Sequence, residues 1–299
     1  MRNCILVKAA SIAAVIAASG FSGPVLAEGY DTSSVKVSEP LAARVPAEIR
    51  QAGVLVGGSD NNYAPWEYLT GDDGQTPEGI DIDIGNAIAA KLGLKYESRT
   101  AQFATIFPAL GTNYNIGLSA LSITEERKKV VNFVSYARTG NEWVIRADNP
   151  TGFDPNDVCG RQIAVQSGTS HEELLGAVNE NCVDAGKAKM NLLPFKTQTE
   201  AVTRVAAGGA DATITGSTTA LYAAFLSDGV LTTVQPVGEI LDFRSLNGIA
   251  IAKPDTELTQ LIADTLNELI QDGTYNAILD AWGMTVVAVD KAQINPSEH

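Results

Sequence analysis

Arg127 is the residue of this 299-residue chain whose position most needs a chemical reason. Thr124 reads as a helix N-cap with Glu125 and Glu126 in the first turn. A cation at that point opposes the helix dipole, by roughly 0.3–1 kcal/mol at an exposed site. Ser119 and Ser122 lie just before it, where a short buried strand, Ile116 to Leu118, gives way to the helix and backbone N–H groups are free. A planar two-pronged guanidinium beside hydroxyl and amide donors suits a small carboxylate. The same residues also fit a blander reading, in which Arg127 pairs with a nearby acid and the serines tighten a turn.

Other chemistry is sparse. His171 and His299 are the two histidines, and neither has cysteine or carboxylate neighbours at metal-ligand spacing. His171 is expected to be exposed in the first turn of a helix. No dinucleotide fingerprint, phosphate-binding loop or Gly-x-Ser-x-Gly elbow occurs. Neither a catalytic residue, nor a metal site, nor a cofactor is expected.

The N-terminus carries Arg2 and Lys8, then an Ala/Ile/Val stretch, then Val25-Leu26-Ala27 before Glu28. This is the pattern of a secretory signal peptide over 1–27, so a soluble, periplasmic or otherwise extracytoplasmic protein is expected. Removing Arg2 and Lys8 takes the net charge from −14 to about −16, which argues against nucleic acid and anionic lipid as partners. Cys4 leaves with the signal; Cys159 and Cys182 remain, and a pair in an exported chain suggests a disulfide.

Residues 28–45 are polar and read as a flexible start. Strand patterns at 54–56 and 94–97 flank an amphipathic helix at 80–92, and a short helix is expected at 103–110. The alternation begins again after about residue 150, with strands at 162–165, 212–214 and 248–252 and helices at 169–178, 197–207, 217–226, 258–270 and 275–282. Two α/β units of similar grammar follow from this.

Several segments together carry a resemblance. Gly53 to Ser59 with Asp60, Tyr63, Pro65, Trp66 and Glu67, then Gly79 to Asp83, Phe103 to Leu110 and Ser119 to Tyr136 form the first part. Val165 to Ser170, Gly209 to Ala212, Asp272 to Tyr275 and Trp282-Gly283 form the second. In this order the chain resembles the amino-acid-type periplasmic solute-binding proteins of ABC importers. The resemblance implies a two-lobed, type II periplasmic-binding-protein fold with a two-stranded hinge. Lobe 1 would comprise 46–142 and 246–290, lobe 2 143–245, and 291–299 a tail, with crossings near Arg138 to Arg146 and Ile240 to Asn247. It implies a monomer that captures a small amino-acid-like ligand and delivers it to an ABC permease. It also puts the ligand carboxylate on Arg127 assisted by Ser119 and Ser122, with Thr169 and Ser170 opposite. Asp60 would meet the ligand side chain, and Tyr63, Trp66 and Phe103 would form an aromatic wall. Gly216 stands where the family commonly has the aspartate that accepts the ligand ammonium. A dehydratase acting on cyclic carboxylates, with Glu67 or Asp60 as its acid, and a binding module for a signalling receptor are the alternatives.

Overall fold

The computed structural model describes residues 29–238, 241 and 244–297; the expected signal peptide and its cleavage site lie outside the described residues. Two short helices, Glu39–Ala42 (α1) and Ala47–Ala52 (α2), lead into strand Val54–Ser59 (β1). A small antiparallel sheet follows, made of Asn62–Tyr63 (β2), Glu67–Thr70 (β3) and Thr76–Glu78 (β4). Helix Ile80–Lys91 (α3) carries the chain to Lys95–Thr100 (β5), which lies parallel to β1. Ile116–Gly117 (β6), the four-residue helix Glu125–Lys128 (α4) and Val131–Thr139 (β7) come next.

Gly140 separates β7 from Asn141–Arg146 (β8), the first strand of a second sheet. Gln162–Gln166 (β9), Ser170–Asp184 (α5), Asn191–Phe195 (β10), Gln198–Ala206 (α6), Ala212–Gly216 (β11), Ser217–Leu226 (α7) and Leu231–Val234 (β12) build that unit. Ser245–Ala252 (β13) then returns to the first sheet, and Thr256–Gln271 (α8) and Thr274–Ala281 (α9) close it. The sheet orders are β5-β1-β6-β13-β7 and β10-β9-β11-β8-β12. Ser245 pairs with Thr139, so the outward and returning strands lie side by side at the hinge.

Each lobe closes its own core. Leu55, Ile84, Ile88, Ile249, Leu266 and Leu279 pack in the first, while Trp143, Ile163, Val165, Leu175 and Ile214 pack in the second. Among the described residues, none of the buried apolar clusters crosses the seam. Separating the lobes therefore exposes little of either core, which is the condition for a hinge motion of low cost.

Three expectations change. Residues 29–45 are packed: Tyr30 N–H donates to Asp83 Oδ2 at 2.8 Å, Ser38 N–H to Lys91 O at 2.8 Å, and Leu41 and Val45 are buried. Polar residues are frequent there, but Leu41 and Val45 enter the first core and Tyr30 and Val35 pack against it. The 103–110 helix is instead two 3₁₀ turns, Phe103–Thr105 and Phe107–Ala109, because Pro108 has no amide to continue an α-helix. The C-terminal stretch is no loose tail: Ala292 is buried, and Asn295 N–H bonds Phe133 O at 2.9 Å along the edge of β7.

Cys159 and Cys182 are joined, with Cα atoms 5.7 Å apart and a separation of 23 residues. The link ties the segment before β9 to the C-terminal half of α5. Replacing both cysteines by serine should lower the unfolding free energy by ~3 kcal/mol in the chain-entropy picture. Equilibrium denaturation with and without reductant checks this, and unchanged stability would remove the disulfide from the account of the second lobe.

Candidate functional site

The two lobes meet through side chains at the carboxyl ends of strands and the amino ends of helices. Tyr63 OH bonds Thr215 Oγ1 at 2.7 Å and accepts the Gly216 N–H at 3.0 Å. Gln166 Nε2 donates to Asp60 Oδ2 at 2.9 Å, Trp66 Nε1 to Thr218 Oγ1 at 2.8 Å, and Thr199 Oγ1 to Asn62 O at 3.0 Å. Ser170 Oγ donates to Ser122 Oγ at 3.1 Å. Arg127 Nη2 donates to Gly168 O at 3.0 Å. The approach is close: Gly168 has φ +80°, and a Cβ there would stand 2.8 Å from that of Ala104, so glycine is required twice over.

Between these contacts lies a cavity of about 20 Å³ lined by Tyr63, Phe103, Ser119, Gln166, Ser170 and His171, with Thr169, Gln198 and Thr215 among the remaining walls. Its surface mixes hydroxyls and amides with the apolar faces of Tyr63, Phe103 and Ala120. An amino acid is far larger than this space, so access requires the lobes to part along the bonds just described.

Arg127 sits directly behind that wall and is 6% exposed. Thr124 caps α4 by accepting the Arg127 N–H at 3.2 Å, which fixes where the side chain starts. The guanidinium donates through Nη1 to Ser122 O at 3.1 Å as well as to Gly168 O, and lies 5.3 Å and 5.9 Å from the ring centres of Phe107 and Phe103. Among the described residues, no ion pair includes it. Burial pushes its pKa down, and the charge of Glu173 pushes it back up.

Several residues singled out from the sequence are committed elsewhere. Ser119 gives its hydroxyl proton to Glu67 Oε1 at 2.6 Å and accepts the Asp60 N–H at 3.0 Å, so it braces the site more than it donates into it. Thr169 is the N-cap of α5, accepting the Glu172 N–H and donating to Gln166 O at 2.8 Å. Trp66 is 1% exposed and packs edge-on to Tyr136 in the first core, away from the cavity surface. Tyr63, Phe103, Ser122 and Ser170 line the space, and so do Ser119 and Thr169 despite these commitments. Gly216 meets Tyr63 OH through its amide, and a Cβ there would lie 3.0 Å from that oxygen.

Gln166, Gln198, Thr215 and His171 were not among the residues chosen from sequence. Gln166 follows Val165 in the motif ending at Ser170, and Thr215 precedes Gly216 as a source of a neutral contact, both usable signals; Gln198 gave none. His171 is half-buried instead of exposed, because Asn141 Nδ2 is committed to Leu241 O and leaves Oδ1 to face the imidazole at 3.0 Å. Burial, then the charge of Arg127, hold its pKa down at about 4. Burial raises Asp60 to about 6, opposed by the Gln166 bond. No cluster able to hold a metal ion occurs among the described residues.

Two lobes with separate cores that close on a cavity between them define a solute-binding protein of the type II periplasmic kind. The chain belongs to the bacterial extracellular solute-binding proteins, family 3, whose profile matches residues 55–285. It is 30% identical over 258 residues to an arginine-binding protein of Corynebacterium glutamicum, covering 85% of this chain and 82% of that one. It is 24% identical over 238 residues to the L-cystine-binding protein of Escherichia coli K12, covering 79% and 84%. Among solved structures, a mutant of ArgBP from T. maritima superposes with a TM-score of 0.69 at 29% identity, covering 79% of this chain and 97% of that one. An ancestral amino-acid-binding protein, a precursor of cyclohexadienyl dehydratase, gives 0.68 at 31% identity, with coverage of 79% and 97%. No described helix is long and apolar enough to cross a membrane.

Tyr63→Phe removes one oxygen that serves both Thr215 and Gly216 across the seam. The closed form should lose about 1–3 kcal/mol relative to the open one. Small-angle X-ray scattering of the unliganded variant is expected to give a larger radius of gyration than wild type; identical curves would show that this contact does not hold the lobes together.

Proposed function

We propose that this chain is the extracytoplasmic substrate-binding protein of an ABC importer, capturing an amino acid or amino-acid-like carboxylate by lobe closure and presenting the closed form to a membrane permease. The observation that carries the reading is Arg127: a buried guanidinium at the inter-lobe wall, with carbonyl oxygens and aromatic faces around it and, among the described residues, no carboxylate in an ion pair with it. Burying a cation without a counter-charge costs several kcal/mol, and a ligand carboxylate entering between Ser122 and Ser170 would supply that charge. The guanidinium has five N–H donors and spends two on Ser122 O and Gly168 O, so donors remain.

Ser122 and Ser170 assist at the carboxylate end once their mutual bond opens. Phe103 and Tyr63 cover the ligand's apolar part. Asp60 meets the distal end when Gln166 releases it; a cationic side chain there would relieve the cost of its burial. L-Arginine is therefore the first candidate, in line with the named ligands of several relatives. Gly216 remains a departure, because an α-ammonium finds Tyr63 OH and Thr215 Oγ1 near that point and no carboxylate. The protein acts by binding, without chemistry on the ligand: the carboxyls nearest the cavity, Asp60 and Glu67, are tied to Gln166 and Ser119.

A thermal-shift panel of ordinary amino acids, N-substituted amino acids, betaines and simple carboxylates tests this, since a ligand of the native state raises the melting temperature by mass action. L-Arginine is expected to give a shift that Arg127→Ala abolishes while leaving unliganded melting nearly unchanged. Undiminished affinity in Arg127→Ala would sink the carboxylate assignment. Gly216→Asp should strengthen binding of primary α-amino acids over their N-substituted forms, provided Tyr63 yields the 3.0 Å contact; a uniform loss across the panel would argue against an ammonium at that end. Conversion of a cyclic carboxylate by the purified protein would favour the dehydratase reading.

A further inference from the structure

Behind the cavity wall, two carboxyls that the proposed binding chemistry does not use converge on the turn Ser119–Ala120. Both turn residues line the cavity. Ser119 Oγ donates to Glu67 Oε1 at 2.6 Å. The Ala120 N–H donates to Asp81 Oδ2 at 2.7 Å, while its carbonyl accepts from Asn247 Nδ2 at 2.9 Å. Tyr136 OH donates to the other Asp81 oxygen at 2.7 Å. Ala120 has φ +45°, a left-handed conformation that an alanine keeps only when neighbouring bonds hold it.

Glu67 and Asp81 are both fully buried. Among the described residues neither takes part in an ion pair. The titratable groups facing them are Asp60 after β1, Tyr63 on β2, Tyr96 on β5 and Tyr136 on β7, with no cation among them. Two neighbouring buried carboxyls without a counter-charge cannot both ionise. Glu67 Oε2 has no hydrogen-bond partner, so an ionised Glu67 would leave a buried charged oxygen unanswered. Burial first, then the charge of Asp81, push Glu67 well above the usual carboxylate range; burial holds Asp81 at about 7.

We propose that Glu67 and Asp81 are positioning residues that share one proton and, through Ser119 Oγ and Ala120 N, hold the ligand-facing turn in its left-handed bend. Glu67 keeps the proton, and Asp81, ionised above about pH 7, accepts from Tyr136 and Ala120. No proton passes to the ligand. The effect on affinity rests on the binding function proposed above; the shared proton does not.

The test compares wild type, Glu67→Gln and Glu67→Ala as the mature chain. Glu67 is neutral in the fold while its unfolded counterpart ionises above about pH 4.3. Each further rise in pH therefore favours unfolding until the folded pKa is passed. Glutamine removes that cost and keeps the acceptor for Ser119. Its unliganded melting temperature should accordingly gain on wild type progressively from acid to alkaline pH, whereas parallel profiles would overturn the shared proton. With L-arginine as probe at neutral pH, Glu67→Ala should weaken binding about tenfold or more and Glu67→Gln should restore it to within about threefold of wild type. Equal losses in both variants would overturn the positioning role. If wild type itself gives no response to L-arginine, the arginine reading fails separately, and the unliganded pH profiles still decide the proton.

Discussion

The two lobes are joined by a pair of hinge strands and, among the described residues, share no hydrophobic core, and everything functional in this protein depends on that separation. A seam made of hydrogen bonds such as Tyr63 to Thr215 and Asp60 to Gln166 exchanges partners with water at a net cost of about 1 kcal/mol each. A seam made of buried leucines would not open on the same terms. The hinge contributes two paired strands, Val131–Thr139 against Ser245–Ala252, which remain hydrogen-bonded to each other while Gly140 leads the chain into the second sheet. Closure can therefore be driven by a ligand whose contacts are made to both sides at once.

Arg127 shows how the seam and the site are the same object. Its guanidinium reaches Ser122 O in one lobe and Gly168 O in the other, so the proposed anion-binding group also ties the lobes together. Its neighbours are aromatic, and its charge has no acid in contact. Such a cation is costly to leave alone and effective when a carboxylate arrives, because water is excluded from both. In the same lobe, Asp60, Glu67 and Asp81 are buried, and their carboxyls are met by the Gln166 side-chain amide, the Ser119 and Tyr136 hydroxyls and the Ala120 N–H.

Much of this was legible in the chain itself. Thr124 announced a helix start and does cap it; Cys159 and Cys182 announced a disulfide and form one. Ordered motifs from Gly53 to Gly283 pointed to the family and the two-lobed fold. The misreadings have local causes. Leu41 and Val45 pull a polar stretch onto the first lobe, and Pro108 breaks an apolar run that otherwise reads as helix. His171 looked exposed because nothing nearby in sequence indicates that Asn141, from the hinge, would face it.

Sequence alone determined the kinds of donor and acceptor available: an arginine at a helix start, hydroxyls at Ser119, Ser122, Thr169 and Ser170, and a glycine at 216. Tertiary structure decided which of them remain free. A hydroxyl has one proton, and Ser119 gives its to Glu67 while Thr169 gives its to Gln166, leaving Ser122 and Ser170 to face each other across the seam. Periodicity and capping rules report on neighbours within a turn or two, whereas the bond from Tyr63 to Thr215 joins residues 152 positions apart. Only folding brings such partners together, and only then is it settled what each polar group has left to offer a ligand.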